Sequence, residues 1–509
     1  MVSQAIHMVL LNPVCLGLIF IGVIIGIIFG SIPGLSASMA LILFLPMSFG
    51  MDPMNGIALL VGLYMGGISG GLISAILLKI PGTASSIATV FDGGPLADKG
   101  EAGTALGVGI LTSFVGGLIS IFALMFISPY LAKVTLAFTS AEYFSIAVFA
   151  LTIISSLSGN SLLNGILAGL FGIALSLVGI APVDGAIRFT FGHSQLYGGF
   201  DTVVILIGLY AVTDIIRTGF ERRHILGDGS KYNYNLKGYG ISPKKYLSHW
   251  RLVIQSALIG LGIGILPGIG GSTSSLLAYT AGKGASKYPE KWGTGIVDGI
   301  IASETSNNAV IGGSLIPLIT MGIPGNVATA IFLGGLTIHG IAPGPLIFMK
   351  SGQYVYGIFI ALLVANIFML ICERAGLRIF VKLLDIPKYY LLPVVLVCCV
   401  IGAYCSNFSI FDVWSVAVFG IMGLLFKYLK VPATPMIIGY ILGSMTEENM
   451  RQALMQTGGN WSIFVTRPIS LIFLLIAVLS VAMTVRKQVL KAKTAKAAGT
   501  VVEEEEEED

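Results

Sequence analysis

Lys79-Ile80-Pro81-Gly82-Thr83-Ala84-Ser85-Ser86 interrupts a long apolar stretch, and its reading decides the architecture. Proline removes a backbone donor and glycine costs about 1 kcal/mol relative to alanine in a helix interior, so a Pro-Gly pair inside apolar sequence ends a helix. The same construction occurs three more times, at Gly30-Ser31-Ile32-Pro33-Gly34, Gly264-Ile265-Leu266-Pro267-Gly268 and Gly322-Ile323-Pro324-Gly325-Asn326-Val327-Ala328-Thr329. Pro81 follows Pro33 by 48 residues, and Pro324 follows Pro267 by 57. The correspondence continues downstream, with Phe91-Asp92-Gly93-Gly94 opposite Phe332-Leu333-Gly334-Gly335, Leu170-Phe171-Gly172-Ile173 opposite Val418-Phe419-Gly420-Ile421, and Pro182 opposite Pro432. The offset drifts only from 234 to 250, as small insertions into a duplicated chain would produce.

Composition supplies the solvent. Of 509 residues, 55% are apolar and 11% charged, against roughly a quarter charged in soluble domains. Apolar runs recur at 9–30, 102–127, 144–157, 354–372, 389–403 and 469–485. With the shorter runs between them they account for roughly 11 to 13 crossings or part-crossings of a bilayer, as helices. The first run is longer than a signal-peptide core, lacks a basic flank and passes directly into more membrane sequence, so it is expected to be a retained span.

The expected fold is therefore all-α and polytopic, with two homologous repeats, discontinuous helices and re-entrant segments. The first transmembrane repeat covers 1–217, a basic connector 218–250, the second repeat 251–485 and a charged tail 486–509. Arg217, Arg222, Arg223, Lys231, Lys237, Lys244, Lys245 and Arg251 place the connector in the cytoplasm, and Arg486, Lys487, Lys491, Lys493 and Lys496 place the C-terminus there too. Strictly inverted repeats would end on opposite sides, so inversion requires one unpaired span. The acidic run 503–509 is a solvated tail by composition. Cys15, Cys372, Cys398, Cys399 and Cys405 lie in or beside apolar stretches without metal-ligand spacing and are expected to pack as small hydrophobes.

Duplicated membrane chains with helix breaks at matching places follow the pattern of secondary transporters, whose sites form where broken helices of the two repeats meet. Irregular backbone at membrane depth needs protein cover or a wet cavity. The substrate-binding candidates are accordingly Pro33, Gly34, Ser36 and Ser38, then Pro81, Gly82, Thr83, Ser85 and Ser86, and in the second half Gly268, Ser272, Thr273, Pro324, Gly325 and Asn326. Hydroxyl and amide residues directly after a break cap helix starts. A helix start offers free N–H groups and partial positive charge, which suits a carboxylate without a buried cation. Free carbonyls with Ser, Thr and Asn oxygens would suit Na⁺. The competing reading is that small residues merely let helices pack closely.

A second constellation, Asp298 with Ser303-Glu304-Thr305-Ser306-Asn307-Asn308, precedes the apolar run 309–323. Polar side chains at membrane depth are costly and usually functional. Glu304, Asn307 and Asn308 fall at i, i+3 and i+4, on one helix face. With Thr329 they are the ion-coupling candidates, and an interhelical clamp without ligand contact explains the same pattern. Asp92, Asp98, Lys99 and Glu101 read as a surface loop, His339 as a structural histidine, and Lys79 as a side chain reaching for the interface.

The stretches 30–49, 66–107 and 304–345 resemble the TctA family, the large membrane subunit of tripartite tricarboxylate transporters. The resemblance rests on Gly67-Ile68-Ser69-Gly70-Gly71 through Lys79–Ser86 to Asp92-Gly93, on Glu304 to Asn308, on Met321-Gly322-Ile323-Pro324-Gly325, and on His339-Gly340 with Pro343-Gly344-Pro345. It runs to about residue 485. It implies a bacterial inner-membrane translocation subunit that works with a periplasmic solute-binding protein and a small TctB-like membrane subunit. It also implies that tricarboxylates such as citrate, or related small carboxylates, are taken up with ion-gradient coupling through Na⁺ or H⁺, with no other cofactor and no nucleic acid. Gly94 departs from the family pattern, which has an aromatic residue after Asp-Gly. Analogy with other carboxylate transporters suggests an elevator-like motion. Two alternatives remain: a gated channel for small anions, and an intramembrane enzyme, although zinc-protease, Walker A, dinucleotide and nucleophile-elbow motifs are lacking.

Overall fold

The computed structural model describes residues 1–33, 35–156, 162–220, 241–268, 270–383 and 388–497. Gly34, most of the basic connector and the acidic run lie outside the described residues. Apart from one short hairpin, β1 (Gly179–Ile180) with β2 (Ile187–Arg188), the described regular structure is helical.

The chain forms two compact units, each assembled from both halves of the sequence. The first unit comprises Met1–Ala137 and Phe191–Leu429. Its helices are α1 (Val2–Val9), α2 (Pro13–Ser31), α3 (Ala37–Phe44), α4 (Pro53–Leu77), α5 (Ile87–Leu96) and α6 (Ala102–Thr135). After Phe191 come α9 (Thr202–Leu206), running through a wide turn at Ile207–Val212 into α10 (Thr213–Phe220), then α11 (Pro243–Leu247), α12 (Trp250–Ile265), α13 (Gly270–Ala285), α14 (Val297–Met321) and α15 (Val327–Ile338). The unit closes with α16 (Ile347–Lys350), α17 (Gly352–Leu383), α18 (Lys388–Asn407) and α19 (Ile410–Tyr428).

Helix starts follow local chemistry. Asn12 accepts from the Val14 and Cys15 amides ahead of Pro13, and Asp52 accepts from Met54 ahead of Pro53. Such caps are each worth about 1 kcal/mol and suit a proline that has no N–H to satisfy. Among the described residues, five segments are long and apolar enough to cross a bilayer: Pro13–Ser31, Pro53–Leu77, Ala84–Thr135, Gly352–Phe380 and Ile410–Tyr428. Seven shorter apolar helices accompany them. Large side chains such as Phe126 on α6 and Ile421 on α19 point outward, as they do where lipid is the solvent. The protein is multi-pass.

The axis of the first unit is α14, a 25-residue helix too polar to be counted among those spans yet buried without interruption from Gly299 to Thr320. It packs on α6, α12, α13, α5 and α4. On α6, Gly116 lets the Thr305 carbonyl approach where any side chain would intervene. Protein, not lipid, therefore surrounds its polar face.

The second unit comprises Phe138–Thr190 and Lys430–Asp509. It contains α7 (Ser140–Ser156), α8 (Leu162–Ser176), the hairpin, α20 (Ala433–Gln456), α21 (Ile463–Thr466) and α22 (Pro468–Ala497). Polar clamps join its helices: Arg467 donates to Glu142 at 2.6 Å, and Ser145 pairs with Ser470 at 2.6 Å. At the hairpin, Arg188 grips Glu447 with both terminal nitrogens, at 2.5 and 3.0 Å. Arg451 joins Glu447 to Asp184. The Ala186 amide and Arg451 hold the Asp184 carboxyl below its usual range.

One sequence expectation is corrected. The segment that contains Asp92 is not a surface loop: Asp92 lies within α5 with no exposed surface, and only Ala97–Glu101 forms an unburied wide turn beyond it. Gly93, Gly94 and Pro95 look like turn chemistry, but tertiary packing on α14 and α4 keeps the segment helical.

Candidate functional site

The four helix breaks lie within the first unit, and successive ones touch. A side chain at Gly82 would run into the Gly30 carbonyl and Ser74, so the first two breaks sit against each other. The Gly268 amide donates to the Gly325 carbonyl at 2.8 Å, which joins the third break to the fourth. The two pairs meet at Gly271, where an added Cβ would lie 2.8 Å from the Ser85 Cβ and 3.1 Å from Asn307 Oδ1. Residues about 185 apart in sequence thereby border one point.

Each break restarts a helix in its own way. Ser36 caps α3 by accepting from the Met39 amide at 3.1 Å, while Ser38 is half-buried in its first turn. Pro33 forms a lone bridge with Leu35. At the second break, Thr83 Oγ1 pairs with Ser85 and Ser86 at 3.1 and 3.2 Å before α5 begins. In the second half, Ser272 and Thr273 lie half-buried in the first turn of α13, and the Ser272 carbonyl accepts from Ser275. At the fourth break, Gly322 takes a left-handed φ of 74° that closes α14, and Pro324 follows. Asn326 and Thr329 then form a reciprocal capping box at 2.9 Å each way.

Asn326 also reaches the first half, donating to Tyr64 OH at 3.2 Å, while Tyr64 pairs with Ser314 at 3.0 Å. Tyr64 is fully buried on α4 and was not among the sequence candidates. Its signal was a phenol inside a 25-residue helix that carries no charged residue, since a buried Tyr hydroxyl needs a partner.

The polar face of α14 lies beside this meeting point. Glu304 has no exposed surface and accepts four hydrogen bonds: Thr89 at 2.5 Å on Oε1, and Ser113 at 3.2 Å, Asn307 at 3.3 Å and Asn308 at 3.5 Å on Oε2. All four donors are neutral. Three of these bonds crowd onto Oε2 and one falls on Oε1, which keeps an acceptor site free. Spending the Asn307 amide nitrogen on Glu304 and the Ile68 carbonyl leaves its Oδ1 without a donor, next to Gly271 and Ser85. An unpaired buried acceptor is costly.

Other candidates separate from this cluster. Asp298 sits in the first turn of α14, bonded to Tyr288 OH at 3.1 Å and 3.7 Å from His249 Nε2. Thr329 Oγ1 is committed to the Asn326 cap. His339 contacts Ser48 Oγ at 3.2 Å, and Lys79 forms an exposed ion pair with Asp98 at 2.7 Å. Gly94 abuts the Lys79 stem, the space an aromatic side chain would need. Among the described residues no group of three or more His, Cys, Asp or Glu is placed to hold a metal ion.

A polar, protein-enclosed seam between broken helices of an apolar bundle is a transport architecture, and comparison with known proteins agrees. Residues 16–438 match the family described as the tripartite tricarboxylate transporter TctA family. The chain belongs to the TctA family. As a TctA-family protein it is the large membrane subunit of a tripartite tricarboxylate transporter. It is 34% identical over 463 residues, 90% of this chain and 91% of the relative, to an uncharacterised 52.8 kDa Agrobacterium vitis protein from the TAR-I ttuC' 3' region. A second A. vitis protein, from the TAR-II ttuC' 3' region, is 33% identical over 208 residues, covering 41% of this TctA chain and 86% of the relative. No solved structure matches it.

Proposed function

We propose that this subunit is the translocation pathway of a binding-protein-dependent, ion-gradient-driven secondary transporter for tricarboxylates such as citrate, or related small carboxylates, in the bacterial inner membrane. A periplasmic solute-binding protein delivers the substrate and a small TctB-like membrane subunit completes the complex. The observation that carries this reading is the convergence of Ser85, Gly271 and Asn307 from three separate segments, with helix starts on either side. Amide donors and hydroxyls at helix starts bind carboxylates by directed hydrogen bonds and partial charge, and they release them readily because no full cation is involved. The coupling ion is Na⁺ or H⁺.

The reading takes the chain as duplicated. By the sequence offset α8 is the counterpart of α19; α8 packs on α20 of the later half, while α19 packs on Ile207–Val212 of the earlier half. Each counterpart finds its partner in the opposite repeat, which is the exchange that twofold-related repeats produce. Motion of the broken-helix bundle in an elevator-like stroke completes the proposal.

The test is uptake of labelled citrate and related carboxylates by the complete complex in proteoliposomes with an imposed ion gradient. Asn307→Ala, and Ser85→Ala combined with Ser86→Ala, are each expected to reduce uptake to background while membrane insertion is unchanged. Native uptake in both variants removes these residues from the site. Flux that does not saturate, ignores the binding protein and persists without a gradient identifies a channel instead.

A further inference from the structure

Glu373 on α17 is the most anomalous polar group among the described residues. It has no exposed surface, and neither Oε1 nor Oε2 has a hydrogen-bond partner. It lies within the apolar span Gly352–Phe380. Ser69 on α4 faces the carboxyl without a hydrogen bond in place, and the Ser69 hydroxyl is itself unpartnered. Glu304 lies close enough for the two acids to interact electrostatically.

The contrast between these two acids is informative. Glu304 is surrounded by four hydrogen-bond donors, all of them neutral. Glu373 has none, so a negative charge on it would face desolvation unrelieved, and repulsion whenever Glu304 is ionised. Among the described residues no cation is hydrogen-bonded to it. Of the helices packed on α17, α4 carries no charged residue and Tyr64 as its one titratable group, and α2 carries only Cys15 near its start. On α6, Lys133 and Tyr130 lie near the far end from Ser113, and α1 and α16 bring His7 and Lys350 against the opposite end of α17. On α17 itself Cys372 adjoins Glu373, and Arg374 is exposed. Glu304 is thus the facing acid.

Resting on the transport reading above, and deepening it, we propose that Glu373 is the proton-carrying carboxyl of this subunit, with Glu304 as its hydrogen-bonded acidic neighbour and H⁺ as the coupling ion. In one conformation Glu373 is neutral and buried beside Ser69. Transport exposes it to water, where the O–H bond breaks, the electron pair stays on the carboxylate and the proton passes to solvent. The reverse step on the other side reloads it. A carboxyl without fixed donors suits this role because no hydrogen bond to the protein must break for the proton to leave.

Two measurements test the assignment. In the first, difference infrared spectroscopy of the purified native complex is expected to show a protonated buried carboxyl band that disappears in Glu373→Gln and persists in Asp92→Asn. A native spectrum without such a band, or one unchanged in Glu373→Gln, overturns the proposal whether or not any substrate is transported. In the second, Glu373→Gln is expected to retain exchange of internal for external substrate in proteoliposomes while accumulation driven by a proton gradient falls at least tenfold. Native accumulation in that variant, or accumulation in the native complex that follows Na⁺ alone, overturns it as well. Failure of the native complex to move any carboxylate would instead strike the transport reading and leave the infrared result to stand by itself.

Discussion

Asp92→Ala is expected to destabilise the protein strongly. Oδ1 of Asp92 accepts from the backbone amides of Gly293 at 3.0 Å, Gly295 at 2.8 Å and Ile296 at 3.0 Å, while Oδ2 accepts from Tyr279 OH at 2.8 Å. One buried carboxyl thus organises the loop that feeds α14, its oxygens held by a nest of amides. Alanine leaves three backbone donors and a phenol without acceptors, and removing one partner of such a buried charged network costs roughly 3–5 kcal/mol. The apparent Tm of the purified complex in detergent is expected to fall by roughly 5–10 °C. Asp92→Asn keeps an acceptor for the loop amides and should lie between alanine and the native protein. A native melting profile for the alanine variant would show that the loop is held by other contacts, such as the packing of Trp292 and Tyr279 against Ala88 and Ala302.

The contrast between Asp92 and the helix breaks shows which features were legible from sequence. Pro81-Gly82 and Pro324-Gly325 interrupt helices for reasons contained in the residues themselves, so their positions could be read directly. The i, i+3, i+4 spacing of Glu304, Asn307 and Asn308 also needs nothing beyond helix geometry. Asp92 was hidden because the Gly-Gly-Pro that follows it imitates a turn, and because its partners lie about 200 residues away. Glu373 was hidden for a related reason. In Cys372-Glu373-Arg374 it resembles the charged margin of a span that ends at 372, whereas the helix continues to Leu383 with Glu373 turned inward. Its signal was Asn366, seven residues earlier on the same face and equally buried within apolar sequence. The partition into two units was not legible, because it pairs 138–190 with a segment that begins some 240 residues later.

Glu304→Gln is expected to abolish transport while leaving the fold nearly intact, a separation that Glu304→Ala cannot give. Alanine removes the acceptor for Thr89, Ser113, Asn307 and Asn308 together and opens a void in a closely packed seam, with an expected cost of roughly 3–5 kcal/mol. Glutamine preserves volume and one acceptor oxygen, and the hydroxyls of Thr89 and Ser113 can rotate to accept as well as donate. The surrounding donors decide how the new amide turns, since three face the Oε2 position and only Thr89 faces Oε1. The glutamine oxygen therefore takes the Oε2 position and keeps Ser113, Asn307 and Asn308, while its NH₂ donates to the Thr89 hydroxyl, which turns to accept. What the variant removes is the ionisable carboxyl, the group that a coupling ion would engage. Uptake should therefore fall at least a hundredfold in Glu304→Gln, equivalent to about 2.7 kcal/mol, with apparent Tm within a few degrees of native. Uptake at the native rate in this variant would mean that the Glu304 carboxyl is immaterial to the translocated species, and the seam would then be an interhelical clamp.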